Sequence, residues 1–319
     1  MSDDALIEVD PEIEAILRES AAAGLSDVTT LPLAAARAQL TAASLAWNLD
    51  PPELAAVADL SIAGPAGALR LRHFRPRAGA RLPLIAYLHG GGWTFGSVDT
   101  HDRLMRLLAL AADAAVIGVD YRLAPEHPHP APLADCLAAV RWVRGHAEEL
   151  EVDARRTALA GDSAGANLAL ASLLALRDAK EPLPKGAALL YGCYAARLDT
   201  ASHARFGGGA YRLSSAEMGW FWRNYLGSTP AGTPLAEPLY ADLRGLPPLY
   251  LTLAAVDDPL ADDTRALARR LAAAGVPHEV REYPGLVHGF LQMTARCAAA
   301  RAALADAGRA IRHLLTARP

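Results

Sequence analysis

The chain has 319 residues, the size of one large domain or of one domain with an appended cap. Its 31 Lys and Arg stand against 35 Asp and Glu, for a formal net charge of −4 with no basic block, which excludes the usual nucleic-acid and anionic-membrane binders. Hydrophobic residues make up 52%, which excludes a disordered chain, and no uncharged stretch reaches the roughly 18 residues of a membrane span. Met1 to Pro11 carries four acids and lacks the basic start and apolar run of a signal peptide. Cys136, Cys193 and Cys297 are far apart, so neither a disulfide framework nor a zinc site is expected, and the expected compartment is the reducing cytoplasm.

Taken in chain order, Pro11 to Glu19 and Pro32 to Trp47 read as helices, the second with Leu33, Ala36, Leu40 and Ala43 at helical spacing and Asp50-Pro51-Pro52 as its stop. Leu69, Leu71 and Phe74 alternate with Arg70, Arg72 and His73, as in a half-exposed strand near a sheet edge. Apolar runs follow at Leu84 to Leu88, Ala114 to Val119, Thr157 to Ala160, Ala187 to Tyr191 and Leu249 to Ala254, with a further strand at His278 to Tyr283. Continuous apolar runs predict strands buried on both faces of a parallel sheet. Helical stretches alternate with them at His101 to Ala112, Pro132 to Glu149, Ala164 to Asp178 and Leu260 to Ala274, and a last helix is expected from about Thr294 to Leu315. The alternation predicts an α/β fold. It breaks between Gly192 and Pro247, where Phe206 to Ala210 reads as a mobile loop and Ser214 to Leu226 as an aromatic-rich helix. That segment and the N-terminal helices are expected to form a cap over the sheet.

Gly161-Asp162-Ser163-Ala164-Gly165 fits G-x-S-x-G between a strand and a helix, the context in which a sharp turn lifts a nucleophilic serine above the sheet. His89-Gly90-Gly91-Gly92-Trp93 follows the strand Leu84 to Leu88. Consecutive glycines leave backbone N–H groups open to a developing oxyanion, and the Ala164 N–H just after the serine is a second source of such donors.

A serine nucleophile needs a histidine base and an orienting carboxylate, in the chain order Ser, acid, His. Of the histidines after Ser163, His203 falls in the cap segment, His278 begins a strand and His313 lies in the terminal helix. His288, in the loop after His278 to Tyr283, is the candidate base. Asp257, Asp258, Asp262 and Asp263 crowd the end of the strand Leu249 to Ala254. Asp262 and Asp263 are expected to cap the next helix or face solvent. Spacing does not separate Asp257 from Asp258. Arg122 and Glu126, in Asp120-Tyr121-Arg122-Leu123-Ala124-Pro125-Glu126, are expected to pair with each other. His127 and His129 lack a third ligand nearby, so no metal site and no cofactor are expected.

With these motifs the chain resembles, over nearly its whole length, the bacterial hormone-sensitive-lipase-like esterases of the α/β-hydrolase superfamily. The similarity rests on His89 to Trp93, on Asp120 to Glu126 with Pro128 and Pro132, on Asp135, Ala138, Ala139 and Trp142 in the helix that follows, on the elbow Gly161 to Gly165, and on Asp258-Pro259-Leu260. Leu286, where methionine is frequent, and Asp257, where tyrosine or glutamate is common, are small departures. The resemblance implies an α/β-hydrolase fold: a mostly parallel eight-stranded sheet flanked by helices, with core segments 51–191 and 248–319 and a helical cap from 1–50 and 192–247. It also implies a triad of Ser163, Asp258 and His288, which places the acid at Asp258, and an oxyanion hole of Gly91, Gly92 and Ala164.

The expected activity is a serine carboxylesterase on short, uncharged carboxylic esters, with Trp93, Trp47, Trp220, Phe221 and Trp222 walling the substrate pocket. An amidase of arylformamidase type shares the chemistry, and a non-catalytic small-molecule-binding relative is a further alternative, which the presence of His288 disfavours. No stable membrane association is expected. A homodimer through the edge of the strand His278 to Tyr283 is a further expectation.

Overall fold

The structure is a computed structural model and describes residues 9–79, 81–210, 212–256 and 258–316. Two helices precede the sheet. α1 (Pro11–Ala22) starts at a proline and is capped by Asp10, whose carboxylate accepts from the Glu12 and Ile13 amides; it buries Ile13 and Ile16. α2 (Leu33–Leu45) buries Ala36.

The chain then runs β1 (Ala56–Gly64), β2 (Gly67–Arg75), β3 (Leu82–Leu88), α3 (Asp102–Ala112), β4 (Ala115–Val119), α4 (Ala131–Gly145), β5 (Val152–Asp162), α5 (Ala164–Asp178) and β6 (Ala187–Leu190). It continues through α6 (Ala201–Phe206), α7 (Ser215–Leu226), β7 (Leu249–Ala254), α8 (Ala261–Ala273), β8 (His278–Tyr283) and α9 (Ala298–Thr316). The strands form an eight-stranded sheet in the order β1-β2-β4-β3-β5-β6-β7-β8. β1–β2 and β2–β4 pair antiparallel and every other pair is parallel. The α/β-hydrolase fold is thus realised, with the largely apolar strands β3, β4, β6 and β7 buried at every position, as two covered faces require.

Each face buries its own apolar cluster. One joins β3, β5, α4, α5 and α8 around Leu84, Leu159, Leu170 and Leu267. The other joins α1, α3 and α9 around Ile85, Leu108, Ala160 and Ile311. The parallel register aligns strand ends on one rim of the sheet. Leu88 pairs with Gly161, which brings the loop after β3 beside the turn after β5. Ala254 pairs with Tyr283, which brings the loops after β7 and β8 together.

The segment between β6 and β7 holds no strand among the described residues, apart from one isolated bridge between Gly208 and Ser214. α6 is a helix the sequence pattern does not announce: six residues are too few to show a period. α7 is closed by a capping box, Ser214 and Glu217 bonding each other's backbone N–H. The terminal helix starts at Ala298 rather than near Thr294, because Phe290–Ala295 forms a separate 3₁₀ turn. Among the described residues, no helix is long and apolar enough to cross a membrane.

Candidate active site

The turn between β5 and α5 holds Ser163 at φ 54°, ψ −118°, a conformation that costs a non-glycine residue on the order of 1–3 kcal/mol. The surrounding structure imposes it. The Ser163 amide donates to Leu190 O on β6 at 2.8 Å, while α5 begins at the next residue. A strand bonded on both sides and a buried helix leave the serine no relaxed alternative.

Three loops then converge on Ser163. His288 Nε2 lies 3.0 Å from Ser163 Oγ, and His288 Nδ1 lies 3.1 Å from Asp258 Oδ1. A carboxylate only accepts, so Nδ1 carries the proton and Nε2 presents its lone pair to the serine hydroxyl. Asp258 Oδ1 also accepts from the Leu260 amide at 2.9 Å, which orients the carboxylate, and Asp258 is 1% exposed. Tyr191 packs its ring edge-on against His288 at 5.2 Å. Asp257 lies outside the described residues.

The loop after β3 supplies the electrophilic side. Gly91 has φ +113° and Gly92 φ +59°. A Cβ on Gly92 would come within 2.3 Å of Phe221 Cδ1, so only glycine fits under α7 here. Among the described residues, the amides of Gly91, Gly92 and Ala164 donate to no protein acceptor. Ala164 is also the first residue of α5, where the helix presents unspent N–H groups and a partial positive charge.

Sequence reasoning missed what holds this loop against the elbow. Asp162 Oδ1 accepts from Tyr87 Oη at 2.7 Å and from the Gly90 amide at 2.8 Å, and His101 Nε2 lies 3.6 Å from its Oδ2. Burial opposes ionisation of Asp162, but the field of the nearby His101 and the hydrogen bond from Tyr87 outweigh it and hold the carboxyl below its ordinary range. Burial, with help from His101, lowers His89 to about 3, so its imidazole is neutral and donates from Nδ1 to Gly90 O at 2.9 Å. The signal was present: Asp162 is an acid at one of the two variable positions of the elbow motif, directly before the nucleophile.

The segment 120–126 braces the same loop. Tyr121 Oη donates to His89 O at 2.6 Å and the Ala124 amide donates to Trp93 O at 2.8 Å. The expected pair between Arg122 and Glu126 does not form. Arg122 takes Asp135 from α4 in a bidentate pair at 2.8 Å, and Glu126 takes Arg37 from α2. Arg37 also donates to Thr94 O and Ala124 O, so it fastens α2 to the glycine loop. Asp262 and Asp263 are likewise not simple caps. Asp263 is buried and accepts from the Tyr194 and Ala195 amides after β6, while Asp262 accepts from the Ser202 amide of α6. Burial pushes Asp263 up to about 6, against the pull of those amides and of Arg197.

The five aromatic residues expected around a pocket divide. Phe221 abuts Gly92 and meets Phe95 edge-on, and Trp220 stacks on Phe95 at 5.7 Å. Trp93 and Trp222 are corrected from lining to backing positions. Trp93 is wholly buried and stacked on Tyr225 at 4.1 Å, and Trp222 leans on it at 4.5 Å, so both fill the joint between the loop and α7. Trp47 is also corrected: it packs against the cluster of α1, α3 and α9, away from the aromatic group of α7, because Asn48 ties its turn to Asp99 O and the Arg103 amide at the start of α3.

Residues 85–292 match a family described as alpha/beta hydrolase fold. The chain is 41% identical over 245 residues to the carboxylic ester hydrolase LipN of Mycobacterium tuberculosis, a match covering 74% of this chain and 65% of that protein. Among solved structures it is similar to a hyperthermophilic esterase from the archaeon Pyrobaculum calidifontis, with TM-score 0.92 and 36% identity over 97% of this chain and 100% of that one. It is also similar to an alpha/beta hydrolase enzyme from the metagenome of Lake Arreo, Spain, with TM-score 0.90 and 39% identity over 95% of this chain and 98% of that one. The matched span and these identities place the chain in the α/β-hydrolase family, in its hormone-sensitive-lipase-like branch.

Proposed function

We propose that this chain is a carboxylic ester hydrolase that cleaves short-chain esters through an acyl-enzyme on Ser163. The observation that carries the reading is the continuous hydrogen-bonded line from Ser163 Oγ through His288 to Asp258, beside three amides with no protein acceptor among the described residues. His288 Nε2 takes the Ser163 proton as Oγ attacks the ester carbonyl. The Gly91, Gly92 and Ala164 amides receive the oxyanion. The tetrahedral intermediate collapses, His288 returns the proton to the leaving alkoxide, and the acyl group stays on Ser163. Water, deprotonated by the same imidazole, then releases the acid. Asp258 keeps the proton on Nδ1 and balances the imidazolium charge in both halves.

Residues 9–50 and the described residues of 192–247 act as the cap that limits acyl length. Supporting this, Phe221 of α7 stands against Gly92 and Arg37 of α2 is fastened to the same loop. Each added CH₂ of acyl chain gains about 0.8 kcal/mol until apolar wall is exhausted. Measuring kcat/KM for p-nitrophenyl esters from acetate to palmitate tests the reading. A maximum at about four to eight carbons supports it, since beyond the pocket floor added carbons stay in water. A maximum at long chains with activation at an oil–water interface contradicts the short-chain assignment, and no hydrolysis of any ester contradicts the whole.

A further inference from the structure

Between α6 and α7 a cation reaches the site with no acid to meet it. Arg212 lays its guanidinium over Gly289, the residue after His288: a Cβ built on Gly289 would lie 3.4 Å from Arg212 Cζ and Nε and 3.6 Å from Nη2. Solvent reaches the side chain, yet protein encloses it closely enough that desolvation pulls its pKa below the ordinary arginine value. The guanidinium thus lies over the backbone of the His288 loop while staying open to solvent.

The ionisable groups whose fields reach Arg212 are Tyr191, Asp162 and Glu217. Each is occupied. Asp162 holds Tyr87 and Gly90. Glu217 Oε2 closes the cap of α7, 2.8 Å from both the amide and the hydroxyl of Ser214. The Tyr191 phenol is neutral, since burial raises its pKa. Among the described residues, Arg212 makes no hydrogen bond and no ion pair. A guanidinium held over the catalytic loop with its five donors free of protein acceptors is placed to receive an anionic ligand.

We infer that Arg212 is a specificity-determining residue that binds a carboxylate carried by the substrate, so that the preferred esters are short ones bearing a second, free carboxylate. This rests on the esterase reading above and narrows it, replacing uncharged esters by anionic ones. A guanidinium fork pairs with a carboxylate through two parallel N–H···O bonds, which fixes the ester's orientation over Ser163 as well as its affinity. The carboxylate belongs either to the acyl group or to the leaving alcohol, and the same chemistry serves both.

The test compares matched pairs at neutral pH, with spontaneous hydrolysis subtracted. The acyl pair is p-nitrophenyl hydrogen glutarate against p-nitrophenyl methyl glutarate. The alcohol pair is 3-acetoxybenzoate against 3-acetoxybenzamide. In one pair kcat/KM for the anion should exceed that for the neutral partner by about tenfold or more, the effect expected of one charge-assisted contact. The pair that shows it identifies the side carrying the charge. Arg212→Gln should collapse that ratio, mainly through KM, and Arg212→Lys should restore part of it. If Arg212 merely held the His288 loop, Arg212→Gln would lower both partners alike, and an unchanged ratio overturns the inference. So does a wild-type enzyme that hydrolyses the neutral esters without preferring the anion in either pair. Failure to hydrolyse any of the four overturns the esterase reading along with it.

Discussion

Gly165 and Leu88 meet backbone to backbone: a Cβ on Gly165 would lie 1.9 Å from the Leu88 carbonyl oxygen. The first turn of α5 and the end of β3 are therefore in direct contact, and the nucleophile turn and the oxyanion loop are set by one packing interface. Gly165→Ala should separate them. Overpacking against backbone that cannot rotate away is expected to cost about 3 kcal/mol, the upper end of such substitutions. Urea unfolding and ester turnover should fall together, and a variant with wild-type midpoint and turnover would contradict the close contact.

Ser163→Ala should abolish turnover by a factor of about 10⁶, as loss of a triad nucleophile does. Ser163→Gly should be equally inactive but more stable than Ser163→Ala. Glycine tolerates φ 54°, ψ −118°, whereas alanine keeps the strain, worth on the order of 1 kcal/mol. Thermal unfolding of the two variants side by side checks the order, and alanine being the more stable would argue against a strained elbow.

Asp258→Asn should reduce kcat by roughly 10⁴ by favouring the wrong imidazole tautomer and removing the charge beside His288. The His288 Nδ1 contact at 3.1 Å is the basis. Steady-state kinetics on p-nitrophenyl butyrate decides it; a loss of only a few fold would move the orienting role to another acid.

Acid should destabilise the fold through its buried histidines. Burial, aided by the charge of Arg75, lowers His73 to about 4 from an ordinary value of 6.5. Between those two pH values the unfolded chain holds a proton that the native chain does not, so stability falls as pH drops through that window. His73 alone accounts for a loss of about 3 kcal/mol once pH is below its folded value. His89, at about 3, acts in the same direction and extends the window downward. His73→Leu should flatten the fall in unfolding free energy from pH 6.5 to 4 without removing it. An unaltered slope would mean that His73 is not held neutral.

The parts of the site that were legible in the sequence are the local ones. Ser163 and His288 each follow a strand and sit in a glycine-flanked turn, so chain order and short-range pattern locate them without tertiary knowledge. Asp258 was separable from Asp257 only by resemblance, since two adjacent acids after one strand present the same pattern. Contacts made across the fold were not legible. Glu126 has Arg122 four positions away, yet its partner is Arg37, 89 residues distant, because α2 crosses the loop that holds both. Aromatic composition marked Trp93, Trp222 and Trp47 but carries no orientation, and two of them face inward while the third joins the opposite cluster. Arg212 belongs to no motif in the sequence; only the fold puts it over Gly289.

The proposed covalent acyl-enzyme on Ser163 is detectable most directly by intact-mass analysis of enzyme quenched within milliseconds of mixing with p-nitrophenyl butyrate. A burst of p-nitrophenol approaching one per active site is expected, together with a mass increase of one butyryl group that peptide mapping places on Ser163 and that is absent from Ser163→Ala. Butyryl transfer to another residue, or hydrolysis by Ser163→Ala at the wild-type rate, would contradict it.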